Sequence, residues 1–245
     1  MHLNTFGSSR GRPVLLLHGG GVAGWMWNAL AKALQAEHLV LVPDLPGHGE
    51  SAGEPYRSHE HTVTELARMV TEAAVGPAAV VGFSLGAQLT VKLASEHPEL
   101  VDRVVVVSAQ ARPMPFTDLT LRSLAVASPL ARRRWFARLQ ARELFVPQEL
   151  MKHYIATSVG ISRETMVSSV GDNLRFGIPA GWSEFPGRAL ILAGQRERKL
   201  MRQSAATLHA ALPGSELEIV PECGHGIPFQ RPEWFHTRVT ALLDA

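Results

Sequence analysis

Six short apolar runs constrain the fold of this 245-residue chain more than any other feature of its sequence. Each run spans four residues, is nearly continuous rather than alternating with polar residues, and most are soon followed by Gly, Ser or Asp. Such runs are typical of buried parallel strands in a sheet that carries helices on both faces. The runs are Val14–Leu17, Leu39–Val42, Ala78–Val81, Val104–Val107, Ala189–Leu192 and Leu217–Val220. The sequence therefore predicts the α/β class.

Stretches with helical periodicity separate the runs, and right-handed crossovers between parallel strands would make a doubly wound, mostly parallel sheet. The predicted helices are Trp25–Gln35, Thr62–Val75, Leu85–Glu96, Met201–Leu212 and Pro232–Leu243. Functional sites in such sheets form beyond the carboxyl ends of the strands. The polar side chains expected to cluster there are His18, Asp44, Ser84, Ser108, Glu197 and His225.

Residues 111–186 interrupt this alternation, because about 75 residues pass there without a convincing strand. We interpret this segment as a helical insertion in a core formed by residues 1–110 and 187–245. Some of its large side chains are candidates to line a substrate pocket, although attachment of the insertion to the sheet is the alternative. These candidates are Trp135, Phe136, Met151, Tyr154 and Trp182.

Charge and cysteine content narrow the choice of partners. The chain has 24 basic and 22 acidic residues, a formal net charge of +2, which predicts no polyanionic partner, nucleic acid included. Cys223 is the only cysteine, so no disulfide forms within the chain and a cytoplasmic location is expected. No run approaches the ~18 apolar residues of a membrane span, so no membrane partner is predicted. A small-molecule substrate is the expected partner, and the sequence does not indicate the oligomeric state.

A Gly-x-Ser-x-Gly motif, Gly82–Gly86, joins a predicted strand to a predicted helix. Its glycines allow a turn tight enough to hold Ser84 in a strained conformation, with the hydroxyl exposed above the sheet. The helix N-terminus favours negative charge at this point. We predict that Ser84 is a nucleophile, with a helix N-cap serine as the alternative.

A serine hydroxyl needs a base to accept its proton, most often a histidine. Among 11 histidines, His225 is best placed, because it lies between Gly224 and Gly226 after the last predicted strand. His59 and His61 lie in a strongly polar stretch, which we interpret as a solvated surface loop rather than a metal site. We therefore predict His225 as the base and no metal.

The base needs a carboxylate to orient it, and in this chain order the acid follows the serine and precedes the histidine. Glu197 fits best, because it lies three residues beyond Gly194 at the end of a predicted strand. Arg196 and Arg198 flank Glu197, so a surface ion pair is the alternative.

Backbone amides are expected to bind the oxyanion of the tetrahedral intermediate. The amide of Leu85 follows the nucleophile, and the glycines after His18 supply backbone without side chains. Gly20 is the predicted second donor and Gly21 the alternative. A phosphate-binding loop is the rival interpretation, but the Lys-Ser/Thr ending of such loops is absent.

The chain resembles the α/β-hydrolase fold family over nearly its whole length. The resemblance rests on four motifs in order: His18-Gly19, Asp44–Ser51, Gly82–Gly86 and Gly224-His225. It implies serine esterase-like chemistry through an acyl-enzyme, no cofactor or metal, and a helical cap at residues 111–186. Two departures are Glu197, where the family usually has Asp, and a short N-terminus, so one or both leading antiparallel strands are expected to be missing or reduced.

Carboxylic esters of moderately hydrophobic character are the expected substrates. Lactones, thioesters and activated C–C bonds are alternatives, because pocket shape rather than a motif separates them. A non-hydrolytic lyase or a ligand receptor on the same fold is the rival class. A serine at position 84, rather than an aspartate, argues against alkyl-enzyme chemistry.

Overall fold

A mostly parallel sheet forms the centre of the molecule, which we describe from a computed structural model covering residues 1–73, 76–131 and 133–244. Its strands are β1 (Leu3–Phe6), β2 (Arg12–Leu17), β3 (His38–Pro43), β4 (Ala78–Phe83), β5 (Val101–Val107), β6 (Arg188–Gly194) and β7 (Glu216–Val220). The strand order is β1-β3-β2-β4-β5-β6-β7. Only β1 runs antiparallel to its neighbour among the described strands. The α/β class is confirmed, and β1 is a leading antiparallel strand of only four residues.

Helices connect the strands on both faces of the sheet. In the described ranges they are α1 (Asn28–Leu34), α2 (His59–Ala73), α3 (Leu85–Glu96), α4 (Thr117–Ala131), α5 (Arg134–Glu143), α6 (Met151–Gly160), α7 (Arg163–Arg175), α8 (Lys199–Ala211), α9 (Ile227–Gln230) and α10 (Pro232–Asp244). The predicted helix Trp25–Gln35 is divided, because a 3-10 turn, Gly24–Trp27, precedes α1. The predicted helix end at Val75 lies outside the described residues.

Alternate residues of each central strand pack on opposite faces of the sheet. In β2, Leu15 and Leu17 belong to the cluster packed against α2, α3 and α8, whereas Val14 and Leu16 belong to the cluster that includes α1 and α10. Burial of one such side chain contributes about 1.5–3 kcal/mol. The prediction of a buried strand was wrong for β7, which lies at the sheet edge and buries only Val220.

The segment between β5 and β6 is helical, as the sequence predicts. It contains α4, α5, α6 and α7, and no strand among its described residues, 108–131 and 133–187. Position 132 of the predicted insertion is outside the described residues. Helix α4 packs on α7, and α5 packs on α6.

A buried polar cluster joins this segment to the core. The prediction that His59 lies in a solvated loop was wrong: it begins α2 and is only 3% exposed, because the first turn of α2 buries one face. Tyr56 Oη and Asp172 Oδ2 lie 2.6 and 3.2 Å from His59 Nδ1, and Gln88 Oε1 lies 3.0 Å from Nε2. Burial raises the pKa of Asp172, but hydrogen bonds from His59 outweigh this effect and hold it below its usual range.

Gly86 allows α3 to begin directly against the end of β2. A Cβ atom at this position would overlap the carbonyl oxygens of Leu17 and His18. A Cβ atom at Gly82 would overlap Thr90 Oγ1 and the Gly86 carbonyl. Both glycines of the motif are therefore needed for close backbone packing around Ser84.

We expect Gly86→Ala to lower the free energy of unfolding by about 2 kcal/mol or more, within the range of overpacking costs. Gly160→Ala is the matched control, because a Cβ there meets nothing within 4 Å and alanine favours helix. Urea unfolding followed by circular dichroism measures both. Equal stability of the two variants would contradict the close approach of α3 to β2.

Candidate active site

Ser84 occupies a sharp turn between β4 and α3. Its φ of 53° and ψ of −110° lie in a region that non-glycine residues rarely adopt. The Ser84 N–H donates to the carbonyl of Val107 at 2.9 Å, which ties the turn to the end of β5. The side chain lies at the carboxyl end of the sheet, at the N-terminus of α3.

His225 connects Ser84 with Glu197. Its Nε2 lies 3.0 Å from Ser84 Oγ, and its Nδ1 lies 2.6 Å from Glu197 Oε1. An ionised carboxylate only accepts hydrogen bonds, so Nδ1 carries the proton and Nε2 is the acceptor that faces the hydroxyl. The His225 side chain is 32% exposed, so one side of this cluster faces open space.

Glu197 is held beneath His225 rather than at the surface. Its side chain is 1% exposed. Its Oε2 accepts hydrogen bonds from the Gly194 N–H at 2.8 Å and from Ser108 Oγ at 3.2 Å. The alternative of a surface ion pair with Arg196 or Arg198 does not describe this geometry.

Two further side chains, Ser108 and Gln230, support the cluster. Ser108 was expected among the polar side chains at this edge of the sheet, without an assigned function, whereas Gln230 was not expected there. Ser108 has a φ of 55°, and its Oγ lies within 3.2 Å of both Glu197 Oε2 and the His225 carbonyl. Gln230 Oε1 accepts from the Gly224 N–H at 2.7 Å. Ser108 directly follows β5, which was a usable signal, whereas nothing in the sequence distinguishes Gln230.

His18 and Asp44 hold the loops beside this cluster and do not join it. His18 Nε2 accepts from the Leu45 N–H at 2.8 Å, and its Nδ1–H donates to the Gly19 carbonyl at 2.8 Å. Asp44 accepts from the backbone N–H groups of Gly24 and Glu50. The glycine-rich loop after β2 is therefore fixed to the loop after β3.

Burial keeps His18 neutral. It lowers the pKa of His18 to about 3, the neighbouring His48 contributes in the same direction, and the hydrogen bond to Gly19 opposes it. Burial also lowers the pKa of His48, whose Nδ1–H donates to the Pro46 carbonyl at 2.9 Å. The two rings lie 5.2 Å apart.

The predicted backbone donors lie in this neighbourhood. A Cβ on Gly19 would lie 3.3 Å from Ser84 Cβ, so the glycine-rich loop adjoins the serine. Within the described residues, no protein acceptor pairs with the amides of Gly20, Gly21 or Leu85. A Cβ at Gly20 would meet nothing within 4 Å, whereas Gly21 has a φ of 83°.

A cavity of about 500 Å³ lies between the glycine-rich loop and the helices of the insertion. Gly20, Gly21 and His48 form its floor. Its walls are largely apolar and include Leu124, Leu130, Phe136, Leu144, Ile161, Met166 and Val170. Burial raises the pKa of Tyr154, another wall residue, to about 12, so its phenol is neutral.

Two of the five predicted pocket residues, Phe136 and Tyr154, line this cavity. The prediction was wrong for Trp135, which is 56% exposed. Successive residues of a helix point about 100° apart, so α5 directs Phe136 inward and its neighbour outward.

The pocket prediction was also wrong for Trp182 and Met151. Trp182 is fully buried in the sheet core, where it stacks on Phe185 and donates from Nε1 to the Leu208 carbonyl at 3.0 Å. Met151 begins α6 and packs against the opposite core cluster. Both side chains attach the insertion to the core, which was the alternative interpretation.

A second, larger cavity of about 580 Å³ does not include the glycine-rich loop in its lining. It is lined by polar and aromatic side chains, among them His2, Trp25, Lys32 and His153. The smaller cavity is the better candidate for substrate, because its floor is the glycine-rich loop that adjoins Ser84.

Two properties of the described residues bear on other kinds of site. Nowhere in them do three or more His, Cys, Asp or Glu side chains come together in a way that could hold a metal ion. None of their helices has the length and apolar character needed to span a membrane.

Known proteins resemble this chain over most of its length. The sequence model of the Alpha/beta hydrolase family matches residues 14–238. RutD of Caulobacter vibrioides, named as a candidate carbamate hydrolase, is 27% identical over 255 aligned residues, covering 97% of this chain and 93% of that protein.

Two further proteins are similar to this chain, one over a shorter sequence match and one in its solved structure. The pimeloyl-[acyl-carrier protein] methyl ester esterase of Vibrio parahaemolyticus is 33% identical over 112 residues, covering 46% of this chain and 42% of that protein. The enol-lactonase of Burkholderia xenovorans has a TM-score of 0.85 at 19% identity, covering 100% of this chain and 96% of that chain. The last likeness concerns the fold alone.

Neutral, buried His18 predicts a loss of stability in acid. The unfolded chain binds this proton near the ordinary pKa of 6.5, whereas folded His18 binds it only near 3. The contribution of neutral His18 to the free energy of unfolding is therefore complete above pH 6.5 and is lost as the pH falls toward 3. At about pH 5 this one group lowers the free energy of unfolding by roughly 2 kcal/mol.

Urea unfolding of the wild type and His18→Gln at about pH 7.5 and about pH 5 tests this linkage. We expect the variant to be less stable at the higher pH, because it loses the ring contacts, and to lose about 2 kcal/mol less on acidification. His97→Gln, at a partly exposed position, should keep the wild-type dependence. An equal acid-induced loss in His18→Gln and the wild type would contradict a neutral His18.

Proposed function

Because the chain belongs to the alpha/beta hydrolase family and is a hydrolase, we propose that it cleaves carboxylic esters with Ser84 as its nucleophile. The strongest support is the unbroken series of contacts from Ser84 Oγ to His225 at 3.0 Å and from His225 to Glu197 at 2.6 Å. Nucleophile, base and orienting acid are linked in this way in serine hydrolases.

In the first half of the reaction, Ser84 Oγ attacks the carbonyl carbon of the ester while His225 Nε2 takes the hydroxyl proton. Glu197 keeps the His225 Nδ1 proton in place and stabilises the imidazolium that forms. Its burial supports this role, because the carboxylate charge acts at short range with little screening by water.

The negative oxygen of the tetrahedral intermediate accepts hydrogen bonds from the amides of Gly20 and Leu85. Both N–H groups lack protein acceptors among the described residues, so they are available to a ligand. Loss of one such donor typically costs about 3 kcal/mol of transition-state stabilisation. Gly21 is the alternative partner of Leu85.

The intermediate collapses when His225 Nε2–H gives its proton to the alcohol oxygen and the C–O bond breaks. The acyl group is then esterified to Ser84 Oγ. Water attacks this acyl-enzyme as His225 takes its proton, and the proton returns to Ser84 Oγ when the carboxylic acid leaves. The reaction balances with water alone as co-reactant and needs no cofactor or metal.

Residues 111–186 act as a helical cap over the core formed by residues 1–110 and 187–245. The apolar wall contributed by α4, α5, α6 and α7 supports this division, and it favours a moderately hydrophobic acyl or alcohol group. Each buried methylene of the substrate would contribute about 0.8 kcal/mol.

A carbamate is the second candidate substrate, because a relative named for carbamate hydrolysis matches 97% of this chain. The same nucleophile, base and amides would serve that reaction. The cavity favours the ester, since Glu143 is its only charged lining residue in the described part of the chain and its walls are chiefly apolar.

A cytoplasmic location agrees with the chemistry of the single cysteine. Cys223 is buried and free. Burial raises the pKa of its thiol, which keeps the sulfur protonated and unreactive.

We expect Ser84→Ala to reduce turnover of short-chain p-nitrophenyl esters to background, and Glu197→Gln to reduce it about 10⁴-fold with the fold intact. Glu222→Gln is the matched control: this exposed glutamate lies near His225, and its surface ion pairs are worth little. Steady-state rates at equal concentration, with circular dichroism as the folding check, measure all three.

Two outcomes would reject this assignment. A near-wild-type rate in Glu197→Gln would exclude Glu197 as the orienting acid. One equivalent of ester consumed per wild-type chain, followed by no turnover, would favour a ligand receptor over an enzyme.

The cavity wall predicts a dependence on substrate length. Ala127 lines the cavity, whereas its neighbour Val126 is 81% exposed. Ala127→Trp should lower kcat/KM for octanoyl esters about tenfold or more, because several methylenes lose contacts of about 0.8 kcal/mol each, and should spare acetyl esters. Val126→Trp should leave kcat/KM unchanged for both octanoyl and acetyl esters. An equal effect of the two variants on octanoyl esters would mean that the substrate binds outside this cavity.

A further inference from the structure

Large apolar side chains are exposed mainly in one part of the molecule. Of nine such side chains in the described residues, eight lie between positions 114 and 145. Phe116 and Val126 are the most exposed, at 80% and 81%. Monomeric soluble proteins rarely expose apolar side chains in such concentration, and a cluster of this kind marks an interaction site.

The exposed side chains form stripes on two adjacent helices. Leu119, Val126 and Leu130 are spaced i, i+7 and i+11, so they share one face of α4. Trp135 and Leu139 are spaced i and i+4 on α5, which contacts α4. We call the exposed surface of residues 112–145 the apolar-basic face.

The charges of this face are almost all positive. Residues 112–145 contain seven arginines against Asp118 and Glu143, a net charge of +5, while the whole chain carries +2, so the rest of it carries −3. Six of these arginines are described, and none of them pairs with an acidic residue in the described ranges. Asp118 itself pairs with Arg175, outside the face.

We propose that the apolar-basic face binds the surface of a membrane that contains anionic lipid. Helices with aromatic and aliphatic side chains flanked by arginine lie in the interface between water and acyl chains. Trp135, Leu139 and Phe116 would enter this region, with the guanidinium groups at the level of the lipid phosphates. Each arginine near an anionic surface strengthens binding about fivefold.

Charge favours an anionic membrane over a second copy of the chain as the partner of the apolar-basic face. A copy docked through the same face would bring another +5 against it, and the negative remainder of the chain shows no matching apolar concentration among its described residues, where Ile219 is the one large exposed apolar side chain. The interpretation of Arg132, Arg133 and Arg134 as the solvated face of a helix set a membrane patch aside, and the prediction of no membrane partner otherwise rested on the absence of spanning segments. Binding at the surface requires none.

The face is continuous with the mouth of the candidate substrate cavity. Leu130 is 44% exposed and also lines the cavity, so the face reaches the cavity at this residue. An ester dissolved in the lipid would therefore enter the cavity without crossing water. This extension rests on the proposed ester hydrolysis, whereas binding to the membrane surface does not.

Co-sedimentation of the full chain with large vesicles tests the proposal. We expect strong partitioning onto vesicles of phosphatidylglycerol and phosphatidylcholine in equal parts, and weak partitioning onto phosphatidylcholine alone. Partitioning should fall as salt is raised from about 0.1 M to about 1 M, because the screening length falls from about 10 Å to about 3 Å.

Two double variants separate the apolar and charged contributions. Trp135→Ser with Leu139→Ser should weaken partitioning at least about tenfold, and Arg134→Gln with Arg138→Gln about 25-fold. All four side chains are exposed, so urea unfolding should show wild-type stability. Ile219→Ser is the matched control, an exposed apolar side chain outside the face, and should bind as the wild type does.

Equal partitioning onto both kinds of vesicle, or wild-type partitioning by both double variants, would overturn the proposal. So would a concentration-dependent dimer in sedimentation velocity that Trp135→Ser with Leu139→Ser abolishes, which would assign the face to a second copy. Retention on polyglutamate but not on vesicles would assign it to an acidic protein. Ser84→Ala should bind vesicles normally, so a failure of the ester hydrolase assignment would be recognised separately.

Discussion

The contact between His225 Nδ1 and the buried carboxylate of Glu197 is the interaction on which the candidate site depends. A carboxylate can be buried only if its oxygens have donors. Glu197 has three: His225, the Gly194 amide and the Ser108 hydroxyl. These donors come from the ends of β5 and β6 and from the loop after β7, so the geometry of the sheet is what holds the carboxylate and, through it, the histidine.

Much of this arrangement could be predicted from the sequence, because parallel strands end at the same edge of a sheet. The apolar runs placed six strands, and the polar residues directly after them included Ser84, Ser108, Glu197 and His225. The pattern could not distinguish residues that join the cluster of Ser84, His225 and Glu197 from residues that hold the neighbouring loops. His18 and Asp44 also follow strands, yet they bond to loop backbone and fix the glycine-rich segment.

The insertion was harder to predict, because residue type does not show which of its side chains face the cavity and which face solvent. Trp135 and Phe136 are both aromatic and adjacent, but helix geometry sends one to solvent and the other to the cavity. Trp182 is aromatic as well and lies in the sheet core. The prediction of a solvated His59 failed because its chain neighbours are polar. Its burial depends on hydrogen bonds to Tyr56, Gln88 and Asp172, of which Gln88 and Asp172 are distant in the sequence.

The insertion joins β5 to β6, which are paired neighbours in the sheet. The strands therefore fix its two ends, whatever lies between them. The entropy of closing a loop grows only logarithmically with its length, so doubling the insertion would cost about 0.6 kcal/mol. This segment can thus be lengthened, shortened or replaced, and with it the walls of the cavity and the exposed apolar side chains, while Ser84, His225 and Glu197 keep their positions.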